Sequence, residues 1–110
     1  MAHACHHPFC DARVPTRMFL CRAHWKALPR VFQRAIWREY VPGQERSKTP
    51  SDAYLAVALR IVGDLAAQTP EHPRSAGVAA FYRRNAAEAR ERELSAGRSD
   101  PWRGFPALAA

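Results

Sequence analysis

Apolar and polar positions follow one another in runs that predict helices separated by proline-bearing breaks. Residues 23–27 form a short first helix, cut by Leu28-Pro29. Proline suits the first turn of a helix, so a second helix is predicted over 29–40, stopping before Val41-Pro42-Gly43. On it Val31, Phe32, Ala35 and Ile36 share one side and are expected to face a core. Residues 44–48 read as a polar loop. Thr49-Pro50-Ser51-Asp52 then offers a threonine N-cap, proline at the first helical position and an acid three residues on, opening a third helix that runs to about Gln68. Its Tyr54, Leu55, Ala58, Ile61, Val62 and Leu65 recur at threes and fours, one broad stripe for the core. Past a loop over 69–77, a fourth helix over 78–94 has a poorer apolar face: Val78, Phe81, Tyr82, Ala86 and Ala89, interrupted by Asn85. Glu88 and Arg92, four apart, support a solvated helix there. The tail from 95 carries Pro101, Trp102, Phe105 and Pro106.

Cysteine spacing changes this picture. Four residues separate Cys5 from Cys10, ten separate Cys10 from Cys21, and two separate Cys21 from His24. An odd number of cysteines argues against a disulfide framework, and both gaps fall within those of tetrahedral zinc sites. The expected centre is a structural Cys3His zinc site of Cys5, Cys10, Cys21 and His24. His3, His6 and His7 compete for the fourth place; His24 is favoured because Phe19, Leu20, Trp25 and Leu28 give it a folded, apolar setting. The plainer reading makes Cys10 and Cys21 small buried residues and the histidine-rich start a solvated arm. His72 reads as a loop histidine. The fold class expected is mainly α: an N-terminal zinc knuckle, treble-clef-like, followed by about three to four packed helices. Residues 1–68 form knuckle and helical core, 69–94 a loop and a charged helix packed on the core or projecting from it, and 95–110 a tail.

At 110 residues and a formal net charge of +7, the chain is one small cationic domain. Residues 1–46 hold eight basic and three acidic groups, against nine and seven in the remainder, so the excess sits in the zinc half. Arg30, Arg34 and Arg38 make one stripe on the second helix, with Trp37 beside it. Such a stripe can contact nucleic-acid phosphates while the indole offers a stacking platform. Equally, Trp37 can pack against the third helix or the tail with arginines folded over it as solvated cover. An alanine- and arginine-rich composition is also what a high-GC gene encodes. No apolar run is long enough to span a membrane and the N-terminus lacks a signal-peptide core, so a cytoplasmic location is expected. The chain has no glycine-rich phosphate loop, no Gly-x-Ser-x-Gly, no His-Glu-x-x-His and no deaminase zinc pattern, and is expected not to be an enzyme.

The ordered series Cys5-x4-Cys10, Val14-Pro15, Met18-Phe19-Leu20-Cys21-x2-His24-Trp25, Leu28-Pro29, Ile36-Trp37-x2-Tyr40-x-Pro42-Gly43-Gln44 and Pro50-Ser51-x2-Tyr54-Leu55 resembles a group of small zinc-finger-like proteins encoded by bacteriophages and prophages of high-GC bacteria. The likeness covers about residues 5–65. It implies metal positions at Cys5, Cys10, Cys21 and His24, scaffold roles for Trp25, Trp37 and Tyr54, and the context of a mobile-element accessory protein. Two functions are then expected. One is binding of nucleic acid through Arg30, Arg34, Arg38 and Trp37. The other is anti-CRISPR-like inhibition of a host or defence nucleoprotein complex, with Phe81, Trp102 and Phe105 as contact residues. A second copy of the chain is a candidate mate for the thin fourth helix.

Overall fold

The computed structural model describes residues 2–47 and 49–108, and it is mostly helical with a small two-stranded sheet at its N-terminus. That sheet pairs β1 (Ala2–Ala4) antiparallel with β2 (Arg13–Pro15), His3 opposite Val14. Strands of three residues are too short to announce themselves by alternation. The ribbon is instead held by its loop, where Cys5 N–H donates to Ala12 O at 2.7 Å, and by Val14, which is buried.

Two helices follow, α1 (Arg22–Ala27) and α2 (Arg30–Glu39). The break between them has the expected cause. Proline disfavours helical geometry in the residue before it, and Leu28 is extended at φ −72°, ψ 132°. Of the side predicted to face the core, Phe32, Ala35 and Ile36 are buried and Val31 partly so. Residues predicted as a polar loop instead contain one helical turn, α3 (Gln44–Ser47). Gly43 turns the chain into it at φ +90°, and the Gln44 side-chain oxygen accepts from Val41 N–H at 3.0 Å.

The core-forming helix α4 (Asp52–Ala67) starts two residues later than predicted. Ser51, not Thr49, caps it: its hydroxyl accepts from Tyr54 N–H at 3.1 Å, while the Thr49 hydroxyl bonds to Ser47. Nor is α4 buried along one stripe only. Val57, Ala58 and Ile61 meet Leu28, Phe32, Ala35 and Ile36 in the main core, yet Arg60, Gly63 and Asp64 are buried as well.

The second buried side of α4 lies against α5 (Ser75–Ser95), which begins three residues earlier than predicted. Arg92 pairs with Asp52 at 2.9 Å and the Ser75 hydroxyl donates to Ala66 O at 2.6 Å, so the two helices run antiparallel and α5 does not project. Its buried positions are Ser75, Ala79, Ala86, Ala89 and Glu93. Small side chains let the backbones approach closely: a Cβ added at Gly63 would stand 2.8 Å from Arg83 Cγ and 3.2 Å from Ala79 O. The weak hydrophobic face read from the sequence is therefore a tight small-residue face, stapled by Arg83 to Asp64 at 2.9 Å.

The tail returns over α2 and α4. Pro101 is fully buried, Phe105 packs edge-on against Phe32 at 4.7 Å between ring centroids, and Trp102 Nε1 donates to Ala56 O at 2.8 Å. The Trp102 ring meets two guanidinium groups, Arg60 at 4.8 Å and Arg90 at 4.6 Å from its centroid. Arg60 is 2% exposed, donates to Pro106 O, and has Nε 3.4 Å from Asp64 Oδ2, within ion-pair range but without hydrogen-bond alignment. Burial lowers its pKa while Asp64 opposes the shift, and an arginine starts high enough to stay charged.

Candidate metal centre and the basic face beside it

Cys5 leaves the end of β1, Cys10 sits in the loop between the strands, Cys21 is the N-cap of α1, and His24 lies in that helix's first turn. Each is placed by local backbone chemistry. The loop folds back through Cys10 N–H to His7 O at 3.1 Å, and His6 N–H to Phe19 O at 3.1 Å ties it to the segment before α1. Cys21 makes no side-chain cap bond, which leaves its sulfur to the cluster, and its N–H donates to Cys5 Sγ at 3.1 Å.

The four ligand atoms all lie within 4.8 Å of one another. His24 Nδ1 is 3.6 Å from Cys5 Sγ and 3.3 Å from Cys21 Sγ. A tetrahedral ion roughly 2.3 Å from sulfur and 2.0–2.1 Å from nitrogen would set its ligand atoms about 3.5–3.8 Å apart. The separations match that edge, the three cysteines are free rather than disulfide-bonded, and the group can hold a metal ion. Protein hydrogen bonds already favour a thiolate at Cys21, where the His24 backbone N–H draws the pKa down; burial pushes the Cys5 thiol up, in the direction a bound cation would reverse.

The rival histidines have other neighbours. His7 stacks on the His24 ring at 4.2 Å, and His3 stacks on His6 at 4.7 Å with His6 against Phe19. Burial lowers the pKa of both His6 and His7. His72 stacks on Phe9 at 3.8 Å and accepts from Arg74 N–H.

On α2 the stripe of three arginines divides. Arg30 and Arg34 are exposed, but Arg38 bonds Glu39 through Nε at 2.7 Å and donates to Pro101 O at 2.8 Å, tethering the tail. Trp37 is 62% exposed, its ring meeting Trp25 and Tyr40 edge-on at 6.3 and 5.9 Å. It packs on neither α4 nor the tail through any ring contact among the described residues.

Ion pairing is uneven along the chain, although Arg74 and Arg84 in the C-terminal half reach no carboxylate among the described residues. Arg60, Arg83, Arg90, Arg92, Arg98 and Arg103 each reach a carboxylate. Among the described residues none pairs with Arg13, Arg17, Arg22, Lys26, Arg30 or Arg34, which surround the metal cluster and line α2. Trp37 also borders a groove of about 670 Å³ whose lining includes Phe19, Trp25, Ile36, Tyr54, Arg17 and Gln44. Sequence reasoning missed this groove, because it is assembled from the ribbon, the segment after it and four helices. The faint signal was Gln44 itself, a polar residue three beyond Val41 that returns to bond that residue's N–H.

The residues proposed as a protein-contact surface also separate. Trp102 and Phe105 are taken into the packing described above and are not free anchors. Phe81 is 52% exposed, beside Tyr82 and under the Arg84 guanidinium. No helix is long and apolar enough to cross a membrane among the described residues. Comparison with protein-family models, curated proteins and solved structures finds no match.

Proposed function

We propose that the chain is a small, non-enzymatic protein stapled by one structural zinc ion and built to bind nucleic acid. The observation that carries this reading is the segregation of unpaired cations. From α4 onward six arginines reach a carboxylate and only Arg74 and Arg84 do not; among the described residues, Arg13, Arg17, Arg22, Lys26, Arg30 and Arg34 all stand without one, with Arg38 the paired exception on α2. Unneutralised arginine and lysine on one face attract phosphates and release their counterions.

Zinc suits three thiolates and one imidazole better than a hard cation does, and a closed donor set of four leaves no position for a substrate. Bound there, zinc would cross-link the ribbon to the start of α1 and so orient the basic residues on both. A treble-clef-like description fits this order of ribbon loop and helix N-terminus. The setting suggested by the sequence resemblance, an accessory protein of a phage or prophage acting in the host cytoplasm, accommodates the same role.

The test is anisotropy of labelled DNA and RNA against the zinc-loaded protein over roughly 50 to 200 mM salt. Affinity should fall steeply with salt, and the Arg30→Ala/Arg34→Ala double variant should bind more weakly with a slope shallower by about 1.5–2. No binding at low salt, or a double variant that behaves like wild type, would overturn the reading. In that event Phe81 offers the starting point for a protein partner.

A further inference from the structure

We propose that the groove beside Trp37 seats an unstacked nucleobase, so that the protein selects single-stranded over duplex nucleic acid. This rests on the nucleic-acid reading above and adds a substrate class to it. The groove's volume, about 670 Å³, falls within the roughly 300–1,000 Å³ of small-ligand sites. Its walls are Phe19, Trp25, Trp37 and Tyr54 with Ile36. Aromatic faces accept any base, because every base offers a π-face.

Gln44 adds a polar side chain to the otherwise largely aromatic and aliphatic lining. It lines the groove at 8% exposure, and its side-chain oxygen is engaged by Val41 N–H. A carboxamide at the groove wall can donate to a base carbonyl or ring nitrogen. Among the described residues the groove's lining includes the Arg17 cation and no carboxylate. Arg30 and Arg34 continue the cationic surface along the helix that carries Trp37. An apolar protein side chain would fill the walls but leave Gln44 and Arg17 unmatched. A single strand satisfies all three features, whereas a duplex keeps its bases stacked and out of reach.

The experiment compares, with the zinc-loaded full chain, a labelled strand of about twelve nucleotides, its duplex, and the same strand with abasic sites, which keeps the phosphates and deletes the bases. The intact strand should bind about tenfold or more tightly than either alternative. Trp37→Ala, at a position 62% exposed, should weaken the intact strand by about fivefold to a hundredfold and leave the abasic strand unchanged, with far-UV dichroism and zinc content as the check that the fold is kept. Equal binding of strand and duplex, or of intact and abasic strands, overturns base seating; if that binding still depends on Arg30 and Arg34, the nucleic-acid reading survives. Failure of all three nucleic acids to bind overturns both.

Discussion

Replacing Trp102 with alanine should loosen the whole C-terminal wrap. Its ring meets the Arg60 and Arg90 guanidinium groups, its Nε1–H donates to Ala56 O at 2.8 Å, and the neighbouring Pro101 is fully buried. A fully buried tryptophan cut to alanine costs about 3–5 kcal/mol, and partial burial of Trp102 puts it near the lower end, about 3 kcal/mol. That figure already contains the hydrogen bond, near 1 kcal/mol, and the two cation–π contacts, near 0.5–1 kcal/mol each when partly exposed. For a domain of this size, about 3 kcal/mol lowers Tm by roughly 10–20 °C. Trp102→Phe, which keeps a ring and loses the N–H, should cost only about 1 kcal/mol. Urea unfolding of the zinc-loaded protein, followed by far-UV circular dichroism, measures both. A Trp102→Ala variant within about 0.5 kcal/mol of wild type would show that the tail is not part of the core, and the structural role given to Arg60 would fall with it.

Three other outcomes are expected. Cys21→Ser should abolish stoichiometric zinc binding and unfold the N-terminal third, since structural zinc contributes about 10–16 kcal/mol of binding energy; a metal-free variant with full native dichroism would refute the site. Gly63→Leu should destabilise by about 2 kcal/mol or more because backbone atoms of α5 leave no room for a Cβ, whereas Gly77→Ala, in open space on the same helix pair, should stabilise by up to about 1 kcal/mol; thermal melts that reverse this order would contradict the close α4–α5 packing. The Arg90 hydrogen bonds hold the Asp100 carboxyl down to about 2, below its unfolded value, so its contribution is full above the ordinary carboxylate range and is lost as pH falls toward the folded value. The stability gap between wild type and Asp100→Asn should therefore be flat from about pH 8 to about pH 5, and a gap that closes within that window would refute the assignment.

What the sequence revealed depended on how local each cause was. Leu28-Pro29 and Pro42-Gly43 end helices through their own backbones, and the Cys21-x2-His24 spacing places two ligands on one helical turn without help from elsewhere. The α5 face was underestimated because Ser75, Ala79, Ala86 and Ala89 bury little apolar area each; their value lies in closeness to Gly63, which hydropathy does not register. Nothing local marks Arg60 for burial, since its partners Trp102, Phe105 and Pro106 lie more than forty positions away. The same distance effect tied Arg38 to the tail and packed Trp102 and Phe105, both half-buried, against α2 and α4. Capping at Ser51 rather than Thr49 was a choice between two adequate hydroxyls two residues apart.

The most direct test of the account joins the metal to the binding face in one titration. Metal-stripped protein, reduced and held with a fluorescent single strand at low salt, receives zinc stepwise while anisotropy and helical dichroism are recorded together. Both signals should rise in parallel and saturate at one zinc per chain. Full anisotropy before zinc is added, or none after one equivalent has restored the helices, would contradict the claim that the ion organises a nucleic-acid-binding surface.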